Sequence, residues 1–350
     1  MLSRDNLLFW SFIGIAVVAG GLLYTLAFQR LSWIGPVYFL AMASPIAFLE
    51  RGRSTQTIRD RLNALSTPAL FISKVVVYNA VFFVSCAGVG TILWLVSVGP
   101  STWSDASILP LHGAFASLCL SAVLVFIIRI RDLVGHENFT SLMLGTYRLP
   151  VEEDRIFLVV DLIGSTRFSD QHGGLQTMLY LRDIFAAIAE PVQRYRGAIH
   201  DYIGDAVLIT WHLQPGIRDG ACLRCLVEIL DAVNSLSDTW TERFGAQPGL
   251  RLVLHSGRVT VGEIGRYNTK ITFFGDAINT VSRMEQICKQ RDARMLISRC
   301  LLRQLPPVEH IAATDVGRVE IKGRSKPLEV LELHILNSRC PPLDHASNPG

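Results

Sequence analysis

Four long runs without a charged side chain occupy the first third of this sequence. Each run is close to or longer than the roughly 20 residues that a helix needs to cross a bilayer. The uncharged runs cover residues 6–29, 31–49, 75–104 and 106–128. They predict a membrane domain over residues 1–130 with four transmembrane helices, at about 7–28, 31–49, 73–98 and 108–129. Because further spans follow the first run, a secretory signal peptide is not expected.

Basic residues between these runs predict the orientation of the helices. The segment 50–74 carries five Lys or Arg, the loop 99–107 carries none, and Arg129 and Arg131 follow the fourth predicted span. Short cytoplasmic loops are enriched in Lys and Arg. We therefore expect a multi-pass protein of the inner cell membrane, with the N-terminus and everything after Arg131 in the cytoplasm. Arg30 is an exception to this rule, because the predicted orientation places it on the outer side of the membrane.

The charge balance differs between the two parts of the chain. The first 135 residues hold 9 Lys and Arg against 5 Asp and Glu, whereas the rest holds 24 against 25. The slight basicity belongs to the membrane part and gives no reason to expect a nucleic-acid partner. The only C-x-x-C motif, Cys222 to Cys225, lies in a helix-like stretch, which favours helix packing over a zinc or redox role.

His112 is the one imidazole in the predicted spans. Ionisable groups inside a membrane are candidates for function, so His112 could be a haem ligand or a proton sensor. It also lies near the start of the fourth predicted helix, where an interfacial position is the alternative. Haem is therefore a possible cofactor without other support in the sequence.

A linker over residues 131–151 separates the membrane domain from the rest. Its apolar residues predict a short amphipathic helix, which suits either signal transmission or passive spacing. Alternating strands and helices then predict an α+β domain over 152–336 with one mixed or antiparallel sheet. Its elements include a kink at Pro191, one long helix over 219–244, and a hairpin of strands 250–255 and 258–264. The Pro-rich residues 337–350 predict a disordered tail.

Two acidic residues lie in similar short settings within this domain. Asp161 ends an apolar strand that runs into a small-residue turn, and Asp205 lies in a Gly-Asp turn between two apolar runs. Two carboxylates at the ends of neighbouring buried strands suit a hard divalent cation, which shares its oxygen ligands with substrate phosphates. Such a site can support phosphoryl chemistry.

Four separated motifs place these aspartates in a wider pattern. They are FLVVDLIGST from Phe157, YIGDAVLITW from Tyr202, LHSGRVTVGEIG from Leu254 and FFGDAINTVSRME from Phe273, followed by VEIKGR. In this order and spacing the motifs resemble the class III nucleotidyl cyclases, over about residues 152–336. The resemblance implies a ferredoxin-like α+β catalytic domain.

The resemblance also implies roles for individual residues. Asp161 and Asp205 match the two metal-binding aspartates, and Leu162 matches the position whose backbone carbonyl reaches a metal. Two Mg²⁺ or Mn²⁺ ions are implied for each site. The matched phosphate-binding positions are Ile163, Gly164, Ser165, Thr166, Arg258 and Lys322.

Asn279 and Arg283 match the pair that orients the ribose and stabilises the transition state. They lie four residues apart in a predicted helix and so share one face. Asp201 and Thr272 match the base-reading positions, where adenylate cyclases often carry Lys and either Asp or Thr. An acidic residue at position 201 is typical of guanylate cyclases, which leaves the base in question.

The leading hypothesis is an integral membrane adenylate cyclase that converts ATP to 3′,5′-cyclic AMP and pyrophosphate. The resemblance implies a head-to-tail homodimer in which Asp161 and Asp205 come from one subunit and Asn279 and Arg283 from the other. The membrane helices are expected to regulate this assembly from the lipid bilayer. The alternatives are a guanylate cyclase and a degenerate domain that binds nucleotide and signals by dimerisation.

Overall fold

The computed structural model describes residues 66–97, 102–108, 111–267, 269–308, 310–319 and 327–336, with the single positions 37, 40 and 45. The chain divides into two compact units, residues 1–133 and residues 134–350. The predicted domain boundaries stay predictions.

Three helices are described in the N-terminal unit: α1 Thr67–Leu95, α2 Trp103–Ser107 and α3 Leu111–Val134. Among the described residues, α1 alone is long and apolar enough to cross a membrane by length and composition. It overlaps the third predicted span, and α3 covers most of the fourth, including the position of His112. The first two predicted spans fall outside the described residues.

Polar side chains join α1 and α3. The Asn79 amide donates to the Ser121 hydroxyl at 2.7 Å and accepts from the Ser117 hydroxyl at 2.8 Å. Hydrogen bonds of this kind are typical contacts between helices in an apolar environment. They hold one face of α1 against α3, while Ile72 and Val84 on α1 remain largely exposed.

The C-terminal unit begins with helix α4, His136–Leu144, and contains an eight-stranded sheet in its described part. The strands are β1 Val151–Ile163, β2 Ala198–Ile203, β3 Ala206–His212, β4 Gly249–Ile264, β5 Lys270–Phe274, β6 Met295–Ser298, β7 Ile311–Val319 and β8 Leu328–Ile335. Their order is β2-β3-β1-β4-β6-β8-β7, with β5 paired to β4. β1 is antiparallel to both neighbours, whereas β4 and β6 are parallel. The predicted mixed sheet and α+β class are confirmed.

Helices cover both faces of this sheet. The helices are α5 Ser165–Arg194, α6 Leu213–Ile217, α7 Ala221–Asn234, α8 Ser237–Phe244, α9 Asp276–Gln290 and α10 Arg299–Leu302, with a 3₁₀ turn at Arg218–Gly220. Side chains alternate along a strand, so Ile156 and Leu158 on β1 pack with α5, α7 and α8, and Phe157 and Val159 pack with α9. β1 is therefore buried on both faces.

The predicted hairpin of strands 250–255 and 258–264 is wrong. Both segments belong to the single strand β4, which keeps its pairing with β1 through Ser256, Gly257 and Arg258. A Cβ atom on Gly257 would lie 2.9 Å from the Cβ atom of Ala277. Gly257 is therefore used for the close approach of α9 to the sheet, and not for a turn.

Two predicted helices differ from the structure. α5 begins at Ser165, and its non-helical residue is Gly173, with φ of 78°, rather than Pro191. The predicted helix 219–244 is two helices, α7 and α8. The Trp240 indole donates to the carbonyl oxygen of Val233 at 2.8 Å and so satisfies a carbonyl at the end of α7. Cys222 and Cys225 are fully buried on α7, in the packing role that the sequence favoured.

Candidate active site

The two sequence-predicted metal residues meet at one end of the sheet. Asp161 on β1 pairs with Ala206 on β3, so Asp205 is the next residue beyond this pair. The backbone N–H of Leu162 donates to the carbonyl oxygen of Asp205 at 3.3 Å. The pairing of β1 with β3 thus brings the residues together, as the sequence predicted.

The Asp161 carboxylate is 2 % exposed and lies among charged groups. Lys289 Nζ donates to Asp161 Oδ1 at 3.0 Å, and Arg251 Nη1 lies 3.8 Å from Oδ2. Burial raises the pKa of Asp161; the hydrogen bond and charge of Lys289 oppose this rise, and the charges of Asp205 and Glu285 add to it. The carboxylate is therefore both desolvated and close to other acids.

Asp205 is anchored by the residue that starts α5. The Ser165 hydroxyl donates to Asp205 Oδ2. Gly164 precedes it with φ of 77°, a conformation that glycine adopts without steric cost. The turn places the N-terminus of α5 directly after the end of β1, and the first N–H groups of a helix attract anions. Thr166 lies in this first turn.

The donor atoms at this end of the sheet fit a divalent cation. Asp161 Oδ2 is buried and has no hydrogen-bond partner within the described residues. Two carboxylates and a backbone carbonyl are the oxygen ligands that Mg²⁺ accepts. The described ranges contain no group of three or more His, Cys, Asp or Glu side chains that could hold a metal ion. An ion here would complete its coordination with water or substrate oxygens.

Asn279 and Arg283 lie on α9, which also carries Lys289. Ten residues separate Asn279 from Lys289, a rise of about 15 Å along a helix. Lys289 contacts Asp161, so most of the length of α9 separates Asn279 from Asp161 within this chain. Asn279 is exposed and Arg283 is partly exposed.

Arg258 lies away from the aspartates of its own chain. It pairs across the sheet with Asp154, seven residues before Asp161 on β1 and about 23 Å away for an extended strand. The Arg258 side chain is largely exposed and lies 3.7 Å from the Asp154 carboxylate. Lys322, the other predicted cation, lies outside the described residues.

The sequence-predicted base-reading positions lie on β2 and β5. Lys270 Nζ donates to Asp201 Oδ2 at 2.5 Å. Thr272 follows Lys270 by two residues on β5, so their side chains share one face of the strand. The structure thus adds a lysine to the predicted pair of Asp201 and Thr272.

Sequence reasoning missed three basic residues around these acids, namely Lys270, Arg251 and Lys289. A signal was available only for Lys289. It follows Glu285 by four residues on one helix face, and its amine lies 2.7 Å from the Glu285 carboxylate. The contacts to Asp161 and Asp201 join residues far apart in the sequence, and no local pattern indicates them.

A buried ionic network connects α4 to the sheet. Arg155 on β1 is almost fully buried and donates to Glu137 on α4 at 3.0 Å, to Glu153 at 2.8 Å and to the Tyr147 hydroxyl at 2.8 Å. The Arg155 guanidinium also lies 5.5 Å from the centre of the Phe273 ring on β5. These partners satisfy the buried charge of Arg155, and the contact with Glu137 attaches α4 to β1.

The chain belongs to the family described as the adenylate and guanylate cyclase catalytic domain, whose model matches residues 152–338. The prediction of a class III nucleotidyl cyclase is confirmed. Adenylate cyclase 2 of Rhizobium meliloti (strain 1021) is 39% identical over 300 residues, which cover 86% of this chain and 83% of that protein.

Two further relatives are more distant. An adenylate cyclase of Anabaena cylindrica is 26% identical over 205 residues, covering 57% of this chain and 39% of that protein. The solved structure of a bacterial light-regulated adenylyl cyclase superposes with a TM-score of 0.53 at 15% identity, covering 66% of this chain and 67% of that one. At this identity the likeness concerns the fold alone.

Proposed function

We propose that this protein is an integral membrane adenylate cyclase that converts ATP to 3′,5′-cyclic AMP and pyrophosphate. The observation that carries the proposal is the buried Asp161 carboxylate beside Asp205, at the end of β1 where α5 begins. The family membership and the similarity to Adenylate cyclase 2 of Rhizobium meliloti support both the reaction and the choice of ATP.

Asp161, Asp205 and the Leu162 carbonyl would hold two Mg²⁺ or Mn²⁺ ions. When bound, the ions supply Lewis acidity toward the ribose hydroxyl and charge neutralisation for the triphosphate. The N–H groups of residues 163–166 bind phosphate oxygens at the start of α5. Arg258 and Lys322 add positive charge to the polyphosphate site.

Asn279 and Arg283 act on the ribose and on the transition state. Asn279 orients the sugar so that its 3′-oxygen faces the α-phosphorus. The Arg283 guanidinium donates hydrogen bonds where negative charge develops as pyrophosphate leaves. A cation in this role contributes about 10³–10⁵-fold to the rates of related phosphoryl transfers.

A head-to-tail homodimer supplies both halves of each site. Within one subunit α9 separates Asn279 from the Asp161 contact by about 15 Å of helix rise, so a second subunit is needed to present Asn279 and Arg283. Exposed apolar side chains support such an interface: Ile203 on β2 is 60% exposed and Phe274 on β5 is 77% exposed. Large exposed apolar groups near a site mark interaction surfaces.

The base is read by Asp201, Thr272 and Lys270. Adenine presents an acceptor at N1 and a donor at its amino group. The Lys270 amine can donate to the first, and Asp201 or Thr272 can accept from the second. Guanine presents donors that suit Asp201, so guanylate cyclase activity is the second candidate. The 2.5 Å contact of Lys270 with Asp201 and the similarity to Adenylate cyclase 2 favour ATP.

The N-terminal unit anchors the enzyme in the inner membrane through four helices, with the catalytic domain in the cytoplasm. Support comes from the length and apolar composition of α1, of whose most apolar window only 22% is buried. Residues 131–151 connect the N-terminal unit to the catalytic domain. The ion pair between Glu137 and Arg155 attaches the linker helix to β1. Movement of the membrane helices regulates the enzyme through this contact.

Product analysis tests the proposed function. The full chain, purified in detergent, is incubated with Mn²⁺ and either ATP or GTP, and the cyclic nucleotides are separated by chromatography. Formation of more cyclic AMP than cyclic GMP supports the proposal, and the reverse ratio supports a guanylate cyclase. Absence of both products, with nucleotide still bound, indicates a degenerate signalling domain.

A further inference from the structure

Lys289 contacts the carboxylate that the proposed function assigns to the metal. It lies in the last turn of α9, and its amine is 3.0 Å from Asp161 Oδ1 and 2.7 Å from Glu285 Oε1. A single ammonium group therefore bridges two carboxylates of the same subunit. The contact with Asp161 joins residues far apart in the sequence and was not expected from the motifs of the chain.

The two partners of Lys289 differ in burial. The Asp161 carboxylate is 2% exposed, so an unpaired charge there is costly. The Lys289 side chain is 43% exposed. Its flexible stem lets the ammonium turn toward Glu285 and water while α9 stays in place. Loss of this contact therefore costs the buried Asp161 carboxylate more free energy than it costs the partly exposed Lys289 ammonium.

The remaining charged groups around Asp161 do not replace Lys289. Arg251 Nη1 is 3.8 Å from Asp161 Oδ2, beyond hydrogen-bond distance, and Arg251 Nη2 is within 3.3 Å of Asp292. Asp205 and Glu285 are both acidic. Lys289 is thus the one described cation that donates a hydrogen bond to Asp161.

We propose that Lys289 is an exchangeable counter-ion of the metal site. It pairs with Asp161 before metal binds and retreats to Glu285 when a divalent ion binds the same carboxylate. An ammonium and a divalent ion at neighbouring positions repel each other, so metal binding includes the displacement of Lys289. Lys289 therefore lowers the affinity for metal and keeps the metal-free site folded. This inference rests on the proposed metal role of Asp161.

Metal binding without nucleotide tests the inference independently of catalysis. Mn²⁺ is titrated into the purified full chain, and free Mn²⁺ is measured by electron paramagnetic resonance. We expect Lys289→Met to bind Mn²⁺ about ten-fold more tightly than the wild type, because no like charge has to leave. Lys289→Arg, which keeps the charge, is the matched control and should stay within about two-fold of the wild type.

Thermal unfolding gives a second readout. Lys289→Met should melt at a lower temperature than the wild type without metal, and Mn²⁺ should raise its melting temperature by more than it raises that of the wild type. If Lys289→Met does not fold, Lys289→Gln takes its place. Equal or weaker Mn²⁺ binding by the uncharged variant overturns the inference. A wild type that binds no Mn²⁺ and forms no cyclic nucleotide overturns the proposed function instead.

Discussion

The backbone N–H of Leu162 donates to the carbonyl oxygen of Asp205 at 3.3 Å, and this contact joins the end of β1 to the β2–β3 turn. The hydrogen bond is the last rung of the β1–β3 ladder, whose register sets Asp161 opposite Ala206. The geometry of the two aspartates thus follows from strand pairing in the core of the sheet. It is built into β1, which is buried without interruption from Arg155 to Leu162.

Complementation tests the shared site. Asp161→Ala and Arg283→Ala subunits carrying different tags are co-expressed, and the heterodimer is purified through both tags. One of its two sites is intact, so we expect about half of the wild-type rate of cyclic AMP formation. The control pairs Asp161→Ala with Asp205→Ala, which damages both sites and should stay inactive. An inactive first heterodimer contradicts the division of residues between subunits.

Lys270→Met should change the choice of base. Removal of the amine takes away a donor for adenine N1 and leaves Asp201 free to accept from guanine. We expect the ratio of kcat/KM for GTP over ATP to rise about ten-fold. Arg266→Met removes a cation from the connection between β4 and β5 and serves as the control. An unchanged ratio in Lys270→Met would show that the amine does not read the base.

Glu137→Gln tests the contact between the linker helix and the sheet. Burial raises the pKa of Glu137. Hydrogen bonds from His212 and Arg155 and the charge of Arg155 together lower it by more, so the pKa lies below its ordinary value of 4.5. A carboxylate with a lowered pKa stabilises the fold above that ordinary value, and the stabilisation is lost as the pH falls below it.

The wild type should therefore be more stable than Glu137→Gln at pH 7 by about 1 kcal/mol, a modest value because Glu137 is partly exposed. The difference should shrink as the pH falls through 4.5. Thermal unfolding between pH 7 and pH 4 measures both effects. Glu190→Gln, which removes a surface partner of Arg194, is the control. A pH-independent difference contradicts the ionic role of Glu137.

Gly257→Ala tests the packing of the helix that carries Asn279 and Arg283. The added Cβ would lie 2.9 Å from the Ala277 Cβ, so α9 must shift. We expect a loss of about 1–3 kcal/mol in stability and a lower rate of cyclic AMP formation. At Gly262, on the same strand, the nearest atom is 3.6 Å away. Gly262→Ala should therefore be tolerated, and equal effects would rule out the packing role.

Local patterns in the sequence predicted the two strands of the β2–β3 hairpin and the proximity of Asp161 to Asp205. They failed at Gly257, because the sequence does not distinguish a glycine that turns the chain from one that admits a helix. They also failed for Lys270 and Lys289, whose contacts depend on β5 and α9 returning to distant parts of the sheet. Such contacts are tertiary, and short-range periodicity does not encode them.

The rate of cyclic AMP formation by Asp161→Asn tests the central claim most directly. The substitution keeps the shape of the side chain and removes the charge that would hold the metal. With Mn²⁺ and ATP we predict a loss of at least about 10³-fold relative to the wild type, with a folded protein by thermal unfolding. Asp170→Asn on α5 removes an exposed charge and should keep the wild-type rate. An Asp161→Asn enzyme within ten-fold or so of the wild-type rate would contradict the account.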